Sequence, residues 1–120
     1  CSGSGITAWY NSLRPQDAPE VDGGRALQEL ADAGDPLACA CFSRSAYALG
    51  EATASLVNCV DPAAVIISGS MTRSGDIWWD GLREGFAASE MTPVADTPIL
   101  IGSLGGDAPL LGAVSFFLNA

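Results

Sequence analysis

Asp61-Pro62-Ala63-Ala64-Val65-Ile66-Ile67-Ser68-Gly69-Ser70-Met71 decides how the chain is read. Asp61-Pro62 ends whatever helix precedes it, because proline cannot continue a helix. Ala64 to Ile67 is short, continuous and β-branched, the pattern of a strand buried on both faces in a parallel sheet. Ser68-Gly69-Ser70 then turns the chain, and a helical pattern follows. Small residues at such a turn let the backbone approach a ligand closely. Open α/β sheets place ligands at the carboxyl ends of their strands. An ordinary strand-to-helix turn has the same composition, so this stretch alone leaves both readings open.

Upstream of Asp61 the spacing predicts a long helix over about 36–59. Asp35 is its N-cap and Pro36 its first residue. Phe42, Ala46, Leu49, Thr53, Leu56 and Val60 recur at three- and four-residue steps. Arg44 and Glu51 are its only charges, so burial on most sides is expected. Gly50 in mid-helix costs ~1 kcal/mol in propensity, which points to close helix packing. Before it, a helix over 24–33 stops at Gly34. A first helix over 4–13, capped by Ser4, stops at Pro15, and a loop over 14–23 joins the two.

Downstream, a helix over about 74–89 carries Ile77, Trp78, Leu82 and Phe86 on one face. Residues 98–102 form a second strand. A final helix over 107–118 carries Leu110, Leu111, Val114, Phe117 and Leu118. Adjacent helical residues diverge by ~100°. One of Trp78 and Trp79 is therefore expected in the core, and the other at an interface or partly exposed. Trp9 and Tyr10 read the same way, and Phe116-Phe117 is expected to dock the last helix. The order helix, helix, helix, strand, helix, strand, helix argues for an α/β fold with parallel strands and flanking helices. Two strands leave a sheet incomplete, with open edges. Absent residues or another copy of the chain would have to complete it, so the isolated chain is expected to dimerise or aggregate.

Composition bounds the function. The chain has 120 residues, 48% of them hydrophobic, enough for one domain with one core. Five arginines, Arg14, Arg25, Arg44, Arg73 and Arg83, stand scattered against 14 acids, for a net charge of −9. Direct nucleic-acid contact needs clustered cations and is not expected. No apolar run reaches the ~18 residues of a membrane span. The chain has no His. Cys39 and Cys41 diverge on a helix, so no metal site is assigned and the cysteines read as small buried hydrophobes of a reducing cytoplasm. The opening Cys1-Ser2-Gly3, mid-pattern, reads as a segment of a longer chain.

The wider pattern resembles the ROK (repressor, ORF, kinase) family across nearly all 120 residues. Cys1-Ser2-Gly3 with the following Ser-Gly-Ile resembles the Tyr-Ala-Ser-Gly segment after the family's zinc-binding cysteines. Leu49-Gly50, then Leu56-Val57-Asn58 and Asp61-Pro62, resembles its long helix closing in Leu-x-Asn-x-x-Asp-Pro. Val65-Ile66-Ile67-Ser68-Gly69 resembles its strand ending in Gly-Gly. Gly106-Asp107-Ala108-Pro109-Leu110-Leu111-Gly112-Ala113 resembles its terminal Asp-Ala-x-x-x-Gly-Ala helix.

The resemblance implies a partial actin-like, ribonuclease-H-like lobe. Residues 1–120 would be a single C-terminal subdomain of a bacterial, cytoplasmic protein of carbohydrate metabolism. It implies that Ser68, Gly69, Ser70 and Met71 border the adenosine side of an ATP site. It also implies that Gly106 and Asp107 begin the last helix, whose free N–H groups either face the interior of the cleft or are capped by Asp107, the reading that the frequency of Asp caps favours. Ser68 replaces the first glycine of the pair and could crowd the nucleotide or hydrogen-bond to it.

The family's phosphate-binding Asp-x-Gly-x-Thr, general-base Asp, sugar-binding Glu and His, and zinc loop have no counterpart here. No catalytic residue is therefore assigned. The expected activity is that of a glucokinase-like parent, an ATP- and Mg²⁺-dependent kinase of a hexose or N-acetyl amino sugar, with this segment inactive alone. The alternative is the sugar-sensing lobe of a transcriptional regulator whose DNA-binding part lies outside this chain. Expected partners are the N-terminal remainder of the same protein, a sugar ligand and further copies of the protein.

Overall fold

The computed structural model describes residues 2–91 and 96–118. Cys1 and residues 92–95 lie outside the described residues. Five helices and two short strands follow one another in the expected order.

α1 runs Gly3–Leu13. Its N-cap is Ser2, not Ser4: the Ser2 hydroxyl accepts from the Gly5 backbone N–H at 3.2 Å. Two successive Ser-Gly pairs made either cap possible, and the outer one moves the cap two residues upstream. Arg14 takes extended backbone ahead of Pro15 and ends it. Asn11 ties the following loop back through a pair of bonds to Val21, donating to its carbonyl at 2.9 Å and accepting from its N–H at 3.0 Å. α2 runs Gly23–Asp32 and buries Leu27.

α3 runs Pro36–Val60, 25 residues. The Asp35 carboxylate accepts from the Ala38 N–H at 2.7 Å, as the cap requires. Asp61 closes the helix in the left-handed region, at φ 49. Its buried face is Ala38, Cys41, Phe42, Ser45, Ala46, Gly50, Ala54 and Val57. This differs from the expected stripe beyond Leu49. Leu56 and Val60 stay exposed, while Gly50, Ala54 and Val57 take the core side. The reason is contact distance: only the small residues let α4 come close. Leu49, Thr53, Leu56 and Val60 instead border an apolar groove of about 540 Å³ against Val65–Ser68.

β1 is Val65–Ile67 and β2 is Ile99–Ile101, paired in parallel with Val65↔Ile99, Ile66↔Leu100 and Ile67↔Ile101 in register. The ladder is extended at each end by Val65 N–H to the Pro98 carbonyl and Gly102 N–H to the Ile67 carbonyl. Between the strands lie a 3-10 turn, Ser70–Arg73, and α4, Asp76–Ser89. The helix expected from about Ser74 to Ser89 is present and starts at Asp76, with Gly75 at φ +77 just before it.

α3 and α4 run side by side in the same direction. A Cβ on Gly81 would lie 2.6 Å from the Ser43 carbonyl oxygen. One on Gly85 would meet the Tyr47 backbone, and one on Gly50 the Leu82 and Phe86 backbone. At the far end Asn58 donates to the Ser89 carbonyl at 2.9 Å and accepts from the Met91 N–H at 2.9 Å.

Both adjacent tryptophans are buried, Trp78 fully and Trp79 at 8% exposure, which corrects the expectation that one would reach an interface. Their rings meet edge-to-face at 5.0 Å. Trp78 enters the core, while Trp79 is roofed by the 3-10 turn and donates from Nε1 to the Thr72 carbonyl at 3.0 Å. α5, Ala108–Leu118, follows another 3-10 turn, Gly105–Asp107, whose last residue is Asp107. α5 buries none of its residues. Phe116 and Phe117 are 78% and 87% exposed, so they do not dock the helix. Strands of three residues offer too little surface to cover a helix that is apolar on every side.

Tyr10 and Cys41 meet in the core that joins α1, α2, α3 and α4. Burial pushes the Tyr10 phenol up, with Asp35 and Cys41 adding to it against Arg14. Burial pushes the Cys41 thiol up too, opposed by Arg44 and reinforced by Asp35. Folding therefore favours both protonated forms. Their stabilisation is complete below the ordinary thiol and phenol values and is lost as pH rises through the raised ones. Urea midpoints should fall through that alkaline window, and Cys41→Ala should remove the thiol's share of the fall. A flat alkaline profile would contradict this.

Candidate functional site

A cleft of about 630 Å³ lies where the starts of α1 and α2 face the 3-10 turn. Gly3 and Ser4 come from α1, Gly24, Arg25 and Gln28 from α2, and Ser70, Met71 and Arg73 from the turn. Glycine sets the closeness of this junction. A Cβ on Gly24 would lie 3.3 Å from Gly3 Cα, and one on Gly3 would lie 4.0 Å from Met71 Sδ. Three segments far apart in sequence thus converge on one point with almost no side chain between them.

The turn itself is held by its own bonds. Gly69 sits at φ 112 and ψ 178, a region open in practice only to glycine. Its carbonyl accepts from the Thr72 hydroxyl at 2.7 Å and from the Thr72 N–H at 3.3 Å. The Trp79 indole bond to Thr72 anchors the turn from beneath. Met71 packs against the main core, so the cleft wall is continuous with the folded interior.

Of the four residues picked from sequence, Ser70 and Met71 line the cleft. Ser68 is exposed and borders two other depressions on the sheet, and a Cβ on Gly102 would lie 2.9 Å from its own Cβ. Gly69 supplies the bend between them. Sequence reasoning missed Gly3, Gly24, Arg25 and Gln28. The signal was present as glycines within the first turn of two helices, Gly3 and Gly5 in one and Gly23-Gly24 in the other.

Electrostatically the cleft is mixed. Arg25, Arg73, Glu29 and Asp32 all line it, and Gln28 donates from Nε2 to Asp32 Oδ1 at 2.9 Å. Among the described residues no three His, Cys, Asp or Glu side chains converge to hold a metal ion. Cys41 is buried, Cys39 half-buried and Cys59 exposed. The lining offers backbone, hydroxyl, amide and guanidinium groups around small residues. That suits binding a flat polar ligand.

A β-α-β crossover with a glycine-bent turn at the end of its first strand, closed by helix starts, defines an α/β lobe with parallel strands. The chain belongs to the ROK family, whose sequence profile matches residues 1–120. It is 35% identical over 83 residues to a glucokinase of Halalkalibacterium halodurans, covering 68% of this chain and 25% of that protein. It is 33% identical over 114 residues to a glucokinase of Thermotoga maritima, covering 92% of this chain and 36% of that one.

Among solved structures, a ROK family glucokinase of Streptomyces griseus in complex with glucose and AMPPNP superposes with TM-score 0.70 at 27% identity, over 94% of this chain and 36% of that one. The ROK hexokinase of Thermus thermophilus gives TM-score 0.76 at 29% identity, over 94% and 37%. A sugar kinase fold from Cytophaga hutchinsonii gives 0.79 at 20%, over 97% and 42%. The fold is therefore actin-like, and the chain spans about a quarter to two fifths of the length of these relatives. Among the described residues no helix is long and apolar enough to cross a membrane.

Proposed function

We propose that this chain supplies the adenosine side of the nucleotide cleft in an ATP-dependent ROK sugar kinase. Its substrate would be a hexose or an N-acetyl amino sugar. The observation that carries the reading is the convergence of Gly3, Gly24 and Met71 at a cleft where the two helix backbones approach closely. Such a slot admits a flat base and ribose between the two helix starts and the 3-10 turn. Ser4, Arg25, Gln28 and Ser70 are the polar groups that would orient it. Bound ATP, with its magnesium, supplies the transferable phosphoryl group. No residue here is assigned to the phosphates or to the sugar hydroxyl, so the chain alone would bind without turnover.

The place of Ser68 removes the argument that its side chain favours the sugar-sensing regulator. Ser68 lies outside the cleft lining, so its hydroxymethyl group has no base or ribose to crowd. The glycine whose backbone conformation shapes the turn is Gly69, and it is retained.

Calorimetric titration of the chain with ATP, AMP and glucose tests this. ATP and AMP should bind comparably, because the contacts are to adenosine, and glucose should not bind. Gly24→Val, which pushes a branched side chain against Gly3, should weaken AMP at least about tenfold, ~1.4 kcal/mol. Ser68→Ala should change little. A folded chain that ignores both nucleotides, or a Gly24→Val variant that binds normally, would overturn the assignment.

A further inference from the structure

The start of α2 is not held by a cap of its own. Asp22 stands at the N-cap position, but its side chain makes no capping bond. Gly23 follows at φ +88, and a Cβ there would meet nothing within 4 Å. Yet a Cβ on the next residue, Gly24, would lie 3.3 Å from Gly3 Cα. Whatever fixes that approach acts from outside α2.

Asn11 is placed to do so. Its carboxamide donates to the Val21 carbonyl at 2.9 Å and accepts from the Val21 N–H at 3.0 Å. One side chain, with a donor and an acceptor side by side, thus takes both main-chain groups of one residue. Val21 also packs against the main core, so the clamp is tied to the body of the fold. Arg14 secures the loop before it, donating to the Pro15 and Ala18 carbonyls and pairing with Glu20 at 3.1 Å. Residues 21–24 then pass from Asn11, near the end of α1, back to Gly3 at its start. Neither Asn11 nor Val21 lines the cleft.

We propose that Asn11 is a positioning residue for the nucleotide cleft: by holding Val21 it sets the place of Gly24 against Gly3. The inference rests on the adenosine reading of that cleft.

A second asparagine supplies the control. Asn58 makes the same pair of bonds, to the Ser89 carbonyl and the Met91 N–H, both at 2.9 Å, and it too lies outside the cleft lining. Asn11→Ala and Asn58→Ala should lower the urea midpoint by similar amounts, since each loses two bonds of one kind. AMP should bind Asn11→Ala about tenfold more weakly than the unaltered chain. Asn58→Ala should stay within about twofold of it, as expected of a remote, independent site. Equal AMP affinity in two folded variants would overturn the proposal.

The unaltered chain decides the matter if Asn11→Ala does not fold. Coupling between two sites is reciprocal, so saturating AMP should slow hydrogen exchange at the Val21 N–H by roughly tenfold and leave the Met91 N–H unchanged. Unchanged exchange at Val21 would overturn the proposal. If the unaltered chain ignores AMP, the adenosine reading fails, and with it the part of Asn11 in nucleotide binding. The clamp is then read without nucleotide. Faster exchange at Leu27 and Gln28 in Asn11→Ala, but not in Asn58→Ala, would retain the hold of Asn11 on α2, and equal exchange would overturn that as well.

Discussion

Gly85→Ala should bring the chain close to unfolding, with a loss of about 3 kcal/mol or more. The added Cβ would lie 2.8 Å from the Tyr47 carbonyl carbon and 2.9 Å from Tyr47 Cα, with the carbonyl oxygen nearer still. These are backbone atoms of α3, so no rotamer change clears them. The two helices would have to part, and with them the packing of Phe42, Ala46, Leu82 and Phe86. Gly50→Ala acts from the other side of the same crossing, against the Leu82 oxygen and Phe86 N, the latter 2.6 Å away.

Against a total stability of about 5–15 kcal/mol, either change is a large fraction. Gly112→Ala is the control. It is also a helical glycine, but its Cβ would meet nothing within 4 Å. There alanine should be neutral or stabilise by up to ~1 kcal/mol through propensity alone. Urea denaturation followed by circular dichroism separates the two classes. A Gly85→Ala variant as stable as Gly112→Ala would show that α3 and α4 can part without cost.

What sequence reveals and what it hides divides along the same line. Gly50 announces itself, because a glycine inside an otherwise strong helix needs a packing reason, and the crossing is that reason. Val65-Ile66-Ile67 announces a strand through β-branching, and Asp35-Pro36 announces a helix start through cap chemistry. These signals are local.

The face of α3 that turns inward is not local. Leu56 and Val60 have the stronger hydrophobic pattern, yet Ala54 and Val57 are buried because the glycine crossing fixes the rotation of the helix. The cleft is hidden for the same reason. Ser70 and Met71 stand at a recognisable strand end, but Gly3 and Gly24 join them only through the packing of α1 on α2. The exposed α5 is the converse case: it is apolar along its length, yet none of its residues is buried.

Trp78→Ala is expected to cost about 3–5 kcal/mol, the range for emptying a large aromatic site in a core. Trp78 is fully buried and is the largest side chain that is. It stands where α4 packs on the core shared with Leu27, Phe42 and Leu82. Its neighbour should behave differently, and the difference turns on one nitrogen. Trp78 Nε1 is buried with no hydrogen-bond partner among the described residues. Trp78→Phe therefore removes a donor that gains nothing from burial, and should cost much less than Trp78→Ala.

Trp79 Nε1 donates to the Thr72 carbonyl, so Trp79→Phe loses that bond, about 1 kcal/mol, and frees the turn that carries Ser70 and Met71. Thermal melts should rank Trp78→Ala far below the two phenylalanine variants. AMP titration should then single out Trp79→Phe, with weakened binding in a chain that is still folded, while Trp78→Phe binds normally. Equal AMP affinity in the two phenylalanine variants would show that the 3-10 turn keeps its shape without the indole beneath it, leaving Gly69 and the Thr72 bonds to hold the cleft wall by themselves.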